Sequence, residues 1–364
     1  MDSLSQAVLG ASVGGAVLSR PLGRWALLGG ALLGTLPDLD VLIDYGDAVA
    51  NFTEHRGFSH SLLVLFPVSF LLAALLSQCF ARRQTQISLW RWWLFTGLCL
   101  MTHPLLDAFT TYGTQLFWPL GNPVAISSVF IIDPLYTLPL LIAVLWAVAR
   151  PPAARVLLSG LALSTLYLVW SVAAQHAMTQ RVLPALAERG LSQAPRLVQP
   201  MPFSTLLWRI TVLGEQQRLE IVSGILDDDV PLQVEAFPRD QQSLEAIHGL
   251  PAGRTLMHFT RGFVAAEVQG DRLLATDIRL GLPGLHPFQF VLATRGLSGW
   301  QPLAAARRVP RPMTHPQAWP ALLSRTLSHV QVLCLATLTV PAGAQGCPSS
   351  GDVLRSLPPV ETGG

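Results

Sequence analysis

The chain has 364 residues, 51% of them hydrophobic and only 13% charged, about half the charge of an average soluble domain. Charge that sparse makes a bilayer the solvent for part of the chain, and a net charge of +2 gives no general attraction to nucleic acid or acidic partners. All 24 basic residues are arginine, which reads as coding bias.

Taken in chain order, residues 1–180 carry six long uncharged runs. They are Ser3–Ser19, Trp25–Pro37 extended past two aspartates to Ile43, Ser61–Ala81, Trp92–Thr102, Pro134–Ala149 and Val156–Gln180. A bilayer core of ~30 Å needs roughly 20 helical residues. Ser61–Ala81 and Val156–Gln180 meet that length, and the others meet it when tilted or enclosed by protein. The expected fold is an all-α polytopic membrane bundle of about six helices. The N-terminus lacks a basic n-region, so no cleaved signal peptide is expected. Arg20 and Arg24, then Arg82, Arg83 and Arg91, then Arg150 and Arg155 fall in alternate loops. The excess of arginine makes that side cytoplasmic. The loops around 44–60 and 111–130, and everything after residue 180, then lie outside the cytoplasm.

Residues 181–326 recover ordinary charge. Apolar runs such as "TLLWRITVL", "RLEIVSGIL", "RLLATDIRLGL" and "FQFVLATR" alternate partly, as in Arg218-Leu219-Glu220-Ile221-Val222, which predicts a small β-rich extracytoplasmic domain. "RVPRPMTHPQAWP" (308–320) reads as a linker. Residues 327–364 hold one short apolar stretch, Val330–Ala344, and a Gly/Pro/Ser-rich tail expected to be disordered. The cysteines, Cys79, Cys99, Cys334 and Cys347, are scattered, with neither a disulfide framework nor a thiolate metal spacing.

Ionisable residues within the apolar half are costly and point to function. Asp38 and Asp40 come late in the second helix, His55, Arg56 and His60 precede the third, His103 and Asp107 end the fourth, and Asp133 opens the fifth. On the predicted topology all converge on the outer end of the bundle. His103 and Asp107, four apart, share a helix face. His55 and His60, five apart, meet one metal only if a turn intervenes, which Gly57 permits. Imidazole and carboxylate ligands suit a divalent metal, Zn2+ first, with Mn2+ and Fe2+ next. Bland readings remain open at several positions. Asp38 after Pro37 would cap a helix end, Asp133 before Pro134 is a natural N-cap with proline at N1, and Ser59 and Ser61 would cap the third helix. His176, His248, His258, His286, His315 and His329 have no partner spacing and are expected to be structural.

The motifs "MDSLSQAVLGA", "GTLPDLDVL", "HRGFSHSLL", "THPLLDAFTTYGTQLFWP" and "IIDPLYTLPLL" occur in that order. They resemble the bacterial inner-membrane metal-dependent hydrolase family, also called YdjM-like or LexA-binding, over roughly residues 1–180. The resemblance implies a hydrolase of the inner (plasma) membrane. Many members have Thr-His near the N-terminus where this chain has Ser5-Gln6, so one ligand is absent here or replaced by the weaker amide of Gln6. The order Asp, His, then HxxxD is also similar to zinc-dependent phospholipase C and P1-type nucleases. By that likeness Asp38 or Asp40, one of His55 and His60, and His103 with Asp107 are metal ligands. Asp38, His55, His60, His103 and Asp107 are therefore the candidate ligands. Asp40 is the spare carboxylate that takes a proton, and Arg56 is the fork that holds a phosphate. The expected partners are the lipid bilayer and a lipid-linked or membrane-inserted substrate, a phosphoester first. The alternatives are amide, ester or peptide hydrolysis in the membrane, and a non-catalytic metal-binding scaffold. Oligomeric state is not readable from the sequence.

Overall fold

All six apolar stretches are helical in the computed structural model, which describes residues 1–81, 87–227, 232–297, 299–310, 318–327 and 333–335. The chain divides into two compact units. The first comprises Met1–Asp44, Glu54–Val172 and Pro202–Ser204, and the second Tyr45–Thr53, Ala173–Met201 and Thr205 onward.

The first unit is built from α1 (Ser3–Leu22), α2 (Arg24–Thr35) continued by a 3-10 helix (Leu36–Leu42), α4 (Leu62–Ala81), α5 (Leu89–Asp107), α6 (Pro134–Ala149) and the first part of α7 (Ala154–Ala187). The short α3 (Ala48–Thr53) falls in the second unit. Three helical stretches are long and apolar enough to cross a membrane: Arg24–Leu42, Leu62–Phe80 and Ala154–Ala187. The apolar helix Pro134–Ala149 is shorter. The expected count of six spans is thus carried in part.

Local signals set the helix ends. Asp2 caps α1 by accepting from Leu4 and Ser5 N–H, and Ser88 caps α5. Asp133 caps α6 with Pro134 at its first position, the cap that its sequence position predicts. α1 and α2 pack as a hairpin through small residues, as helices in lipid do. A Cβ on Gly10 would lie 2.2 Å from the Gly30 carbonyl oxygen, and one on Gly34 would lie 2.8 Å from that of Gln6. At one end of the unit Arg24 Nε donates to Val148 O at 2.7 Å and Arg91 Nη2 to Val17 O at 2.9 Å. The exposed rings of Trp25, Trp90 and Trp146 belong to the same helix ends. Asp38, His60, His103, Asp107 and Asp133 all belong to the opposite end.

The second unit holds two antiparallel four-stranded meanders. One is β1 (Arg196–Pro200), β2 (Leu207–Leu213), β3 (Gln217–Gly224) and β4 (Gln233–Pro238). The other is β5 (Val264–Gln269), β6 (Arg272–Asp277), β7 (Gln289–Gly296) and β8 (Gly299–Arg308). Between them run α8 (Gln241–Gly249) and α9 (Pro251–Thr260), and α10 (Ala318–Leu327) follows. The four quoted apolar runs form β2, β3, β6 and β7. Alternation explains the first sheet: Trp208, Ile210, Val212, Leu219 and Ile221 pack with Ala174, Met178, Val182 and Leu186, spaced by four along the end of α7. On the other face Arg209 forms a bidentate pair with Glu220, both N···O distances 2.9 Å, and Thr211 donates to the same carboxylate.

Several expectations need correction here. Residue 180 lies within α7, and the chain passes from the first unit to the second at Val172–Ala173. Residues 45–53 also fall in the second unit, where Phe52 packs its ring 5.2 Å from Phe259 and 4.4 Å from Phe288. Cys334 is disulfide-bonded, a bond that the scattered spacing did not signal, whereas Cys79 and Cys99 are free. Arg82, Arg83, His315, His329 and most of the 308–320 linker lie outside the described residues. So does the 327–364 tail apart from residues 327 and 333–335. His286 is structural, as expected: Nδ1 donates to Leu280 O at 2.8 Å, and burial, with Arg209 next, pushes the imidazole down to about 3.

The pair joining α10 to the first sheet sets a pH dependence. Burial alone would raise the Asp227 carboxyl, but hydrogen bonds from Arg325 and from Gly224 N–H outweigh it and hold the group below the usual carboxylate range. A carboxyl depressed in the folded state adds stability above its unfolded pKa and loses it as pH falls through the folded one. Asp227→Asn should therefore lower the unfolding midpoint at pH 7, and its deficit against the wild type should shrink below about pH 4. Thermal melts at both pH values check this.

Candidate metal centre

Four side chains from four separate segments meet at one end of the helical unit. Asp38 comes from the 3-10 helix after α2, and His60 from a one-turn 3-10 helix (Phe58–His60) before α4. His103 and Asp107 come from the last turns of α5. One ligand atom from each lies within 4.8 Å of all the others. His60, His103 and Asp107 are fully buried, and Asp38 is about one-fifth exposed.

Hydrogen bonds on the far side of each ring fix the tautomers. His103 Nδ1 donates to Gly34 O at 2.5 Å. Ser59 Oγ donates to Asp40 Oδ2 at 2.6 Å, and so accepts from His60 Nδ1 at 2.8 Å. Both rings then turn unprotonated Nε2 atoms inward, 3.1 Å apart. With both rings neutral no proton lies between them, and a cation would hold them this close. Asp38 Oδ1 lies 3.4 Å from His60 Nε2 and 3.3 Å from His103 Nε2. Asp107 Oδ2 lies 3.4 Å and 3.5 Å from the same two atoms. Both carboxylate oxygens are buried without a hydrogen-bond partner. Four electron-rich atoms thus converge with nothing between them to satisfy them, which is costly unless a cation sits at the centre. Five of the six pair distances suit one, and the sixth, between the two carboxylate oxygens, is within 4.8 Å. Ligands about 2.05 Å from a tetrahedral ion stand about 3.3 Å from one another, and the five distances above run from 3.1 to 3.5 Å. The residues present therefore fit a divalent ion held by two imidazoles and two carboxylates.

A surrounding layer holds these four. Gln6 Nε2 donates to Asp107 Oδ1 at 3.0 Å and to His103 O at 3.2 Å, and the Met1 nitrogen also donates to Asp107 Oδ1. Gln6 thus braces a ligand, its Oε1 buried and unpartnered. Asp40, expected as a spare base, has both oxygens engaged: Oδ2 accepts from Ser59 Oγ and, at 2.9 Å, from Arg56 N–H, and Oδ1 accepts from His55 Nδ1 at 2.8 Å. His55 therefore stands outside the four-atom group, its ring 6.0 Å from that of His60. The expected turn between the two histidines exists, but its left-handed residue is Arg56, at φ 65°, rather than Gly57. Two bonds hold that strained backbone: Arg56 N–H to Asp40, and Gln115 N–H to Arg56 O at 3.1 Å. The Arg56 side chain is buried. Its Nε lies 3.3 Å from Asp107 Oδ2, Nη1 donates to Gly113 O, and Cζ sits 4.8 Å over the Tyr112 ring. Asp38, Asp40 and Asp107 outnumber the Arg56 guanidinium and the Met1 amino group, an excess of carboxylate that favours a bound cation.

Ser59 and the Gly34 carbonyl are the functional groups that sequence reasoning missed. Ser59 reads as a helix cap, and a carbonyl leaves no sequence mark. Its signal is indirect, in the glycines at 10, 14, 30 and 34 that let α1 and α2 close. Ser61, also read as a cap, donates instead to Trp118 O at 2.9 Å.

Residues 1–178 match the model of the YdjM inner membrane protein family. The chain is 41% identical over 93 residues to the inner membrane protein YbcI of Escherichia coli (strain K12), which covers 25% of this chain and 51% of YbcI. It is 26% identical over 221 residues to the uncharacterized protein YfhP of Bacillus subtilis (strain 168), covering 58% of this chain and 65% of YfhP. The chain thus spans about half of the first relative and just under two thirds of the second. No solved structure matches. These likenesses and the three apolar helical stretches support a place in the inner membrane.

The geometry separates ligands from supports by a measurement of bound metal. His60→Ala, His103→Ala and Asp107→Ala should each lose most of the metal in elemental analysis of purified protein, because a four-ligand site has none in reserve. His55→Ala should keep it. Stoichiometric metal in all three ligand variants would sink the assignment.

Proposed function

We propose that this protein is a metal-dependent hydrolase of the inner membrane, acting on a lipid-linked or membrane-inserted phosphoester at the outer edge of the bilayer. The observation that carries the reading is the convergence of His60 Nε2, His103 Nε2, Asp38 Oδ1 and Asp107 Oδ2, with an imidazole–carboxylate pair, His55–Asp40, beside it. Two nitrogens and two carboxylate oxygens suit Zn2+, with Mn2+ and Fe2+ next. A divalent ion held there would supply a Lewis acid, and on expanding beyond its four protein ligands it would take a water and lower that water's pKa towards ~7.

The chain's own residues do the rest. Asp40 accepts from His55 Nδ1, so His55 Nε2 carries the lone pair and is the atom that takes a proton. His55 is about one-fifth exposed, open enough to pass that proton on. Asp40 orients two histidines at once, His55 directly and His60 through Ser59. Buried against Asp107, Arg56 is placed to orient that ligand and balance its charge, which favours a positioning role over a grip on phosphate.

Depth supports a lipid substrate. The apolar stretch Arg24–Leu42 contains Asp38 and Asp40, and Leu39, Val41 and Leu42 beside them are 55%, 68% and 80% exposed. A substrate reaching Asp38 past such neighbours carries apolar groups. Arginine placement supports an extracytoplasmic site and second unit, since Arg20, Arg24, Arg91 and Arg150 gather at the opposite end. The disulfide at Cys334 fits an oxidising compartment.

Two experiments test this. His55→Ala should lower kcat on a phospho-linked lipid about 10²–10⁴-fold with metal content kept, whereas His103→Ala should lose both. Turnover of acyl-linked lipids alone would move the reading to amide or ester hydrolysis, and no turnover of either would reject the enzyme. For orientation, Leu297→Cys, at a fully exposed position of the second unit, should react with a membrane-impermeant maleimide in intact cells lacking Cys79. Arg150→Cys should not, and the reverse pattern would refute the topology.

A further inference from the structure

The second unit holds a buried charge imbalance of its own. Glu220 is shared by two arginines: Arg209 grips it through two hydrogen bonds at 2.9 Å, and Arg218 Nε lies 3.3 Å from the same carboxylate. Arg218 is more than nine-tenths buried. Its Nε makes no hydrogen bond, and its guanidinium lies over the Phe237 ring, Cζ 4.9 Å from the centroid. Among the described residues its two terminal nitrogens have no acceptor. Arg239, close by, reaches no carboxylate among the described residues: Nη1 donates to Gly214 O at 2.5 Å, and its buried Nε has no partner there. Arg218 and Arg239 both line one shallow cleft that opens to solvent, walled by Leu244, Val264 and Ile278. Asp240, at its rim, is the only carboxylate on the lining, and it is engaged on Ser243 as the cap of α8.

Buried guanidiniums are ordinarily paired because unmatched donors are costly. The other buried arginines of this unit obey that rule. Arg279 grips Asp277 at 2.8 Å, and Arg325 grips Asp227. Two forks left with unmatched donors on one pocket are the complement of a small oxyanion, which accepts several hydrogen bonds and brings the missing negative charge. We propose that the Arg218–Arg239 pocket is an anion site that takes one phosphoryl group, free or carried by a lipid headgroup. Burial, together with the neighbouring Arg209 and Arg239, pushes the Arg218 guanidinium down despite Glu220. That is the mark of uncompensated positive charge, and a bound oxyanion relieves it.

The test uses the full chain in non-ionic detergent and inorganic phosphate as probe, with chloride adjusted to constant ionic strength so that general screening is held fixed. The wild type should show a saturable rise of a few degrees in its unfolding midpoint. Arg239→Gln, at a half-buried position, should fold and show no rise, and Arg218→Gln, where it folds, should match it. The rise should persist in His103→Ala, so that the outcome is independent of the metal group. A wild type without a rise, or Arg239→Gln with the full rise, overturns the proposal. Repeating the titration in nanodiscs separates the two sources. No further response in phosphatidylglycerol, but a response in a phosphate-free galactolipid, assigns the site to the headgroup phosphate, and a response in both assigns it to the free ion.

Discussion

The helical unit is organised around four electron-rich atoms that no proton can reconcile. The Nε2 atoms of His60 and His103 face each other across 3.1 Å because their Nδ1 atoms are already committed to Ser59 and Gly34. The two carboxylate oxygens beside them have no donor. Protonating one imidazole on Nε2 would supply a single donor to a set of three acceptors. A central cation satisfies all four atoms at once. Removing water from such a cluster is expensive in a low dielectric, so the surrounding chain must hold it rigidly enough for that cation to repay the cost.

That rigidity reaches back to glycine. His103 is oriented by the Gly34 carbonyl, and Gly34 occupies its place only because α2 lies against α1 with almost no side chain between them. A Cβ at Gly34 would come within 2.9 Å of the Gly10 Cα, and one at Gly30 within 2.2 Å of the Gly10 carbonyl oxygen. In lipid such close approach, rather than apolar burial, is what holds helices together. The same hairpin brings Gln6 onto Asp107. One sequence pattern, glycines four apart on two adjoining helices, therefore sets both the packing of the first two helices and the second-layer contacts of two ligands.

Much of this was legible in the residues. Charge depletion marked the helical half, alternation marked β2, β3, β6 and β7, and the rarity of ionisable groups in apolar sequence marked one end of the bundle as the site. What was not legible is the division of labour within the cluster. Asp38 and Asp40 differ by two positions, and sequence gave no reason to prefer either. On a 3-10 turn that offset sends them to different partners, Asp38 to the cage and Asp40 to Ser59, His55 and the Arg56 backbone. His55 and His60 were equally indistinguishable until the left-handed Arg56 set their directions. Strands β1, β4, β5 and β8 escaped notice because their exposed residues blur the period of two. The division at Val172–Ala173 escaped because a helix that changes partners midway keeps the same apolar composition throughout.

The two units share one logic of buried charge. Where function is absent, the chain closes its ionic groups locally: Arg209 on Glu220, Arg279 on Asp277, Arg325 on Asp227. Each guanidinium there meets a carboxylate in hydrogen-bonding geometry, and such pairs leave nothing for a ligand to add. Imbalance of opposite sign survives in two places. Around Asp38 and Asp107 carboxylate oxygens outnumber donors, and a cation completes the set. Around Arg218 and Arg239 guanidinium donors outnumber acceptors, and an oxyanion completes it. A buried group left unsatisfied by its own chain is retained at a cost in stability. The sign of the excess charge then specifies the chemistry of whatever restores the balance.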